Sequence, residues 1–92
     1  MKATRIKMKQ GCNNSEDLTE INEIYLEGLS RPGYYPKSSI YDYLKNNPNA
    51  NIYVDIQPYP DLQPVISING EKYVRSEPDY TGRDNLLNLP RD

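Results

Sequence analysis

Residues 65–77 read VISINGEKYVRSE. Asn69-Gly70 lies between two runs of alternating residues, and Asn-Gly is the strongest short signal for a two-residue hairpin turn with positive φ. Such a turn predicts the register. Ile68 should face Glu71, Ser67 should face Lys72, Ile66 should face Tyr73 and Val65 should face Val74. Successive pairs alternate sides, so Ile66–Tyr73 falls on one face and Val65–Val74 on the other. Both faces then carry apolar groups. A helix can cover one, and a second copy of the chain is the simplest cover for the other. Arg75 shares the face of Tyr73, so a ring and a guanidinium project to the same side.

The elements before the hairpin follow from periodicity. Ala3–Lys9 alternates, with Thr4, Ile6 and Met8 on one side and Arg5, Lys7 and Lys9 on the other, which predicts a half-buried strand. Gly11–Asp17, GCNNSED, is a turn. Leu18–Gly28 fits a helix through Leu18, Ile21, Tyr25 and Leu29, and its β-branched and aromatic residues also fit a strand. The short preceding turn favours a strand paired with the first. Leu29–Pro36, LSRPGYYP, reads as a loop that turns at Pro32-Gly33. Ser38–Asn46 reads as a helix with Ser39 and Asp42 as a capping box. Ile40, Tyr43 and Leu44 form its apolar stripe, with Tyr41 at the edge. Asn51–Gln57 reads as a strand with Ile52, Val54 and Ile56 facing one way and Tyr53, Asp55 and Gln57 the other. Pro58–Pro64 is a proline-rich connection that cannot be a central strand. The predicted fold is a single α+β domain over residues 1–92, a small, twisted, mainly antiparallel β-sheet with one helix packed on a face.

Composition narrows the function. Apolar residues make up 36% of the chain, against roughly 45–50% in soluble domains, and subunit association is one way to supply the missing burial. The net charge is −2, which argues against a nucleic-acid polymer or an anionic membrane as partner. There is no histidine, the commonest general base and metal ligand. Cys12 is the lone cysteine, so there is neither an internal disulfide nor a cysteine zinc site, and no cofactor motif is present. No apolar run reaches the length of a spanning helix, and MKATRIKMKQ lacks the apolar core of a signal peptide. We expect a soluble, intracellular protein that is not an enzyme. Every aromatic residue is a tyrosine, nine in all, a type suited to half-buried rims and interfaces.

The richest polar stretch is Tyr73–Pro90, YVRSEPDYTGRDNLLNLP. Tyr73, Val74, Leu86, Leu87 and Leu89 can be buried, while Arg75, Asp79, Arg83, Asp84 and Asn85 gather hydrogen-bonding groups. Two arrangements fit. In one, Asp84 caps the turn before Leu86, Arg75 pairs with a carboxylate, and the tail is pinned for stability. In the other, arginine meets phosphate oxygens while Asp84 and Asn85 bind ribose hydroxyls or a base edge. Arg31, Tyr34 and Tyr35 form a second group, a guanidinium beside two rings. It can hold a base and a phosphate, or pack on a neighbouring subunit.

The pattern NGEKYVRSEPD–RDNLLNLP resembles a family of short bacterial and phage proteins of unknown function, through Tyr73, Arg75, Pro78, Asp79, Asp84, Asn85, Leu86, Leu89 and Pro90. Within that range the chain resembles the first type of phage anti-Thoeris proteins. The resemblance implies a non-catalytic protein in the cytoplasm of the infected bacterial host. It would sequester the cyclic ADP-ribose isomer made by a TIR-domain enzyme, in pockets formed between subunits of a homodimer or larger homo-oligomer. Relatives also hold cyclic oligonucleotides at a separate site. Arg75, Asp84 and Asn85 are the best-matched positions; Arg83, Tyr73, Arg31, Tyr34 and Tyr35 are added from residue type. Some relatives stack on a phenylalanine, for which a tyrosine would substitute in this chain. The rival reading is a protein-binding inhibitor or assembly subunit with a tyrosine-rich interface.

Overall fold

The computed structural model describes residues 1–77 and 84–92. Its fold is α+β, with strands in two mainly antiparallel sheets and one helix against them. β1 (Lys2–Met8) lies inside the larger sheet. On one side it pairs antiparallel with β2 (Ile21–Glu27), which pairs antiparallel with β3 (Gly33–Pro36). On its other side lies the short parallel strand β4 (Tyr53–Val54). The ambiguous segment is therefore a strand from Ile21, preceded by a 3₁₀ turn at Leu18–Glu20. The expected loop Leu29–Pro36 is a loop only in its first half. Its second half is β3, where Tyr34 sits opposite Tyr25 and Tyr35 opposite Ile24.

The alternation expected of β1 is broken once. A register shift between Ala3 and Arg5 turns Ala3, rather than Thr4, to the side of Ile6 and Met8. An inserted residue reverses facing beyond it, and the core gains the small side chain of Ala3, while the Thr4 hydroxyl is itself buried without a hydrogen-bond partner among the described residues.

α1 (Lys37–Asn46) starts one residue before the expected position, directly after β3. Pro36 is its N-cap and no side chain caps it, so Ser39 and Asp42 form no capping box. The early start places both serines inside the first turn, and Asp42 instead accepts a hydrogen bond from Lys72 at 2.9 Å. The buried face is Lys37, Ile40, Tyr41 and Leu44, spaced i, i+3, i+4, i+7. Tyr41 therefore takes the core position expected of Tyr43, which is the one left exposed. α1 packs mainly on the second sheet and also touches β2 and β3.

That second sheet is the hairpin of β5 (Leu62–Ile66) and β6 (Lys72–Ser76). Its register is one residue away from expectation: Val65 faces Tyr73, and Pro64 faces Val74. The loop is longer than the Asn-Gly reading assumed. Gly70 N–H donates to Ser67 O at 2.9 Å, Ser67 N–H to Glu71 O at 2.9 Å, and Glu71 N–H to Ser67 Oγ at 3.0 Å. Only Gly70 takes positive φ, at 83°. This is a three-residue connection closed by one left-handed glycine, and it spares Asn69 the positive φ that a two-residue turn requires. Ile68 leaves the ladder and stands fully exposed at the tip. β5 also begins earlier than Val65 and includes Pro64, which an edge strand tolerates.

The strand expected over Asn51–Gln57 shrinks to Tyr53–Val54 because the chain turns at once: Ile56 N–H donates to Val54 O and Tyr59 N–H to Ile56 O. Its inward alternation survives, with Ile52 and Val54 buried. Finally, residues 90–92 lie beside β1: Ile6 N–H donates to Pro90 O at 2.9 Å, and Asp92 N–H to Ile6 O at 3.0 Å. Leu86, Leu87 and Leu89 are buried as expected. Among the described residues no helix is long and apolar enough to cross a membrane.

Candidate functional site

Asp84 organises the C-terminal polar cluster. It is the N-cap of a 3₁₀ turn, Asn85–Asn88, and its Oδ1 accepts from Leu86 N–H at 2.9 Å. The same carboxylate accepts from Ser76 Oγ at 2.8 Å and, through Oδ2, from Ser76 N–H at 3.1 Å. One side chain thus ties the end of β6 to the tail. This is the capping arrangement, and it commits both oxygens to the protein. Asn85 is buried beside it. Arg83 and Asp79 lie outside the described residues.

An open recess of about 670 Å³ lies next to this latch. Tyr73 and Asp84 line it together with Leu87 and the segment Ser15–Thr19. The turn that builds the opposite wall is fixed by Asp17, whose Oδ1 accepts from Thr19 N–H at 2.9 Å and from Thr19 Oγ1 at 2.7 Å. Those two bonds hold the Asp17 carboxyl below its ordinary range. Arg91 braces the wall from behind, donating to Asn13 O, Ser15 O and Leu87 O. Among the described lining residues there are three carboxylates and neither a lysine nor an arginine. Arg75 is half-buried opposite Gln63, on the Tyr73 side of β6 as expected, but it does not line the recess.

The second expected group is not assembled. Tyr34 and Tyr35 are successive residues of β3 and so point to opposite faces. Tyr34 packs edge-on against Tyr25, with centroids 5.1 Å apart, and Lys7 Nζ lies 4.8 Å from its ring centre. Its hydroxyl is buried without a hydrogen-bond partner among the described residues. Tyr35 lines an apolar cleft of about 230 Å³ with Met1, Leu29 and Tyr43, and its hydroxyl donates to Arg31 O. Arg31 itself is exposed. The structure therefore brings together Tyr73 and Asp84, and separates them from Arg31, Tyr34 and Tyr35.

Sequence reasoning missed a charged network between α1 and the hairpin. Lys37 Nζ, buried on the helix stripe, donates to Thr19 O and to Glu71 Oε2, the latter at 3.1 Å; Lys9 Nζ donates to Glu71 Oε1 at 3.0 Å. Burial lowers the Lys37 pKa, and the two lysines hold the Glu71 carboxyl below its ordinary range. The signal was present, since Lys37 precedes Ile40, Tyr41 and Leu44 at helical spacing. Cys12 Sγ donates to Glu20 Oε2 at 3.0 Å, which raises the thiol pKa. Among the described residues no group of metal-ligating side chains is close enough to hold an ion.

Residues 2–90, the span from β1 through the C-terminal tail, match a family described as protein of unknown function, DUF3892. The chain belongs to that family. No curated protein and no solved structure matches this DUF3892 chain.

Proposed function

We propose that this DUF3892 protein is a non-catalytic binder that sequesters a cyclic ADP-ribose-type nucleotide messenger and so blocks TIR-dependent anti-phage defence in the host cytoplasm. The observation that carries the reading is the recess of about 670 Å³ beside Tyr73, inside the size range of small-molecule sites. Tyr73 offers a ring for a base, and the polar turn Asp17–Thr19 offers groups for ribose hydroxyls. The acidic lining means that phosphate charge has to be met by arginine brought to the rim. Arg75 on the same side of β6, Arg83, and the same residues of a second copy are the candidates, which favours a homodimer or larger homo-oligomer. Asp84 then acts by holding the wall, since its oxygens are already engaged. A separate site for cyclic oligonucleotides belongs to the same proposal. The absence of histidine fits a protein that holds its ligand without turnover.

The test is recovery. The protein is incubated with cyclic ADP-ribose isomers, separated from free ligand, and heated. Intact isomer released on heating is the expected result; no retained isomer, or a cleaved one, overturns the reading. Arg75→Ala should weaken binding about 10- to 100-fold, the loss of one or more charge-assisted hydrogen bonds, with an unchanged unfolding midpoint. A protein-binding role has its own support in Ile66 and Ile68, exposed together at the hairpin tip. Copurification of a protein partner that is lost on Ile68→Ser, with no nucleotide retained, would favour it.

A further inference from the structure

A second recess, sharing no residue with the one beside Tyr73, is lined by Tyr53, Asp55, Tyr59 and Asp61 and measures about 380 Å³. We propose that it is a binding site for an organic cation, an alkylated ammonium or a guanidinium group. Every lining residue is a ring or a carboxylate. The two rings meet nearly at right angles, 85° between planes and 6.0 Å between centroids, so they form two walls of a corner. Aromatic walls attract a cation through the ring quadrupole and carry no preference for an anion.

The backbone explains how these groups converge. Ile52 and Val54 are buried, so Tyr53 and Asp55 project together from the other side of β4. An antiparallel bridge between Tyr53 and Asp61 brings the second carboxylate alongside. Tyr59 closes the corner from the turn, and it does so at φ 61°, a conformation that a bulky side chain adopts rarely. Its ring is nonetheless more than half exposed, so burial does not account for its placement. Among the described residues the Asp61 carboxylate has no hydrogen bond or ion pair, while Asp55 lies 3.7 Å from Lys2 Nζ, at the outer limit of an ion pair. No group of three or more metal-ligating side chains gathers among the described residues. A soft cation that uses ring faces as well as charge is what the corner suits.

The experiment follows backbone amide shifts of the intact protein during titration with choline, with N-butylguanidinium, and with 3,3-dimethylbutan-1-ol, the neutral isostere of choline. Sodium chloride at matched ionic strength serves as the reference. Saturable shifts confined to the region of Tyr53–Asp61, given by at least one of the two cations and not by the alcohol, are expected. The tighter of the two cations identifies the preferred head group. Tyr59→Phe should bind as the parent does. Tyr59→Gly removes the ring at a backbone position that glycine adopts freely, so it should fold normally and bind about three- to fivefold more weakly. Equal shifts from the alcohol, shifts reproduced by salt alone, or undiminished binding by Tyr59→Gly would reduce the ring pair to simple packing over the turn and overturn the proposal.

Discussion

Replacing Asp84 by alanine tests the latch on which the recess depends. The carboxylate accepts from Leu86 N–H, Ser76 N–H and Ser76 Oγ, and both Ser76 and Leu86 are buried. The serine hydroxyl can rotate to another acceptor, but the two backbone donors cannot. A buried donor left without a partner costs about 1–3 kcal/mol. Because Asp84 borders an open recess, water reaches part of the gap and the total should fall near the lower half, about 2–4 kcal/mol. For a domain of this size that lowers Tm by about 10–30 °C. Urea unfolding followed by circular dichroism should show a lower midpoint with an unchanged slope. Asp84→Asn keeps one acceptor and should lose about half as much. If Asp84→Ala changes stability by less than about 0.5 kcal/mol, the range of an ordinary surface substitution, then Asp84 does not hold the tail. Loss of nucleotide binding at unchanged stability would then assign it a direct contact with ligand.

Four further outcomes are expected. Gly70→Ala should destabilise by about 1 kcal/mol, because its φ of 83° suits glycine and the space around it is otherwise open, while Ile68→Ser should leave stability unchanged in the same urea assay. Tyr34→Phe removes a hydroxyl buried without a partner among the described residues and should be neutral or stabilising by up to about 1 kcal/mol by thermal melting. Glu71 has a folded pKa below its unfolded value of 4.5, so the stability it contributes is present above that value and is lost as pH falls through the lowered one. Glu71→Gln should therefore flatten part of the acid limb of a stability–pH curve, with Asp17, Glu20 and Asp92 supplying the remainder.

Strand positions with strict alternation were legible in the chain, because period two maps directly onto a buried and an open face. Ile6 and Met8 of β1 and the inward residues of β4 are examples; β2 followed instead from its β-branched and aromatic residues and the short turn before it, and Leu86, Leu87 and Leu89 from their apolar character alone. Errors arose where a single residue changes phase. The shift at Thr4, the extra loop residue at Ile68 and the early start of α1 each move facing by one position, and no local pattern distinguishes the alternatives. At the hairpin the deciding contact is a side chain on the backbone, Ser67 Oγ accepting from Glu71 N–H, and at the helix it is β3 running straight into Lys37; neither follows from periodicity. For the candidate site, Asp84 as a cap was readable from its place before a leucine run. The wall at Asp17–Thr19 was not, since it is adjacent to Tyr73 only after the hairpin has docked.

The pairing of residues 90–92 with β1 has a bearing on biosynthesis. The edge of β1 near Ile6 finds its hydrogen-bond partners at Pro90 and Asp92, which are synthesised long after it. At about 5–20 residues per second, that edge waits several seconds with its amides unpaired, and open edges recruit other strands. Crowded polysomes should therefore be the setting in which this chain misassembles, and slowing initiation rather than elongation should improve the yield of correctly folded protein.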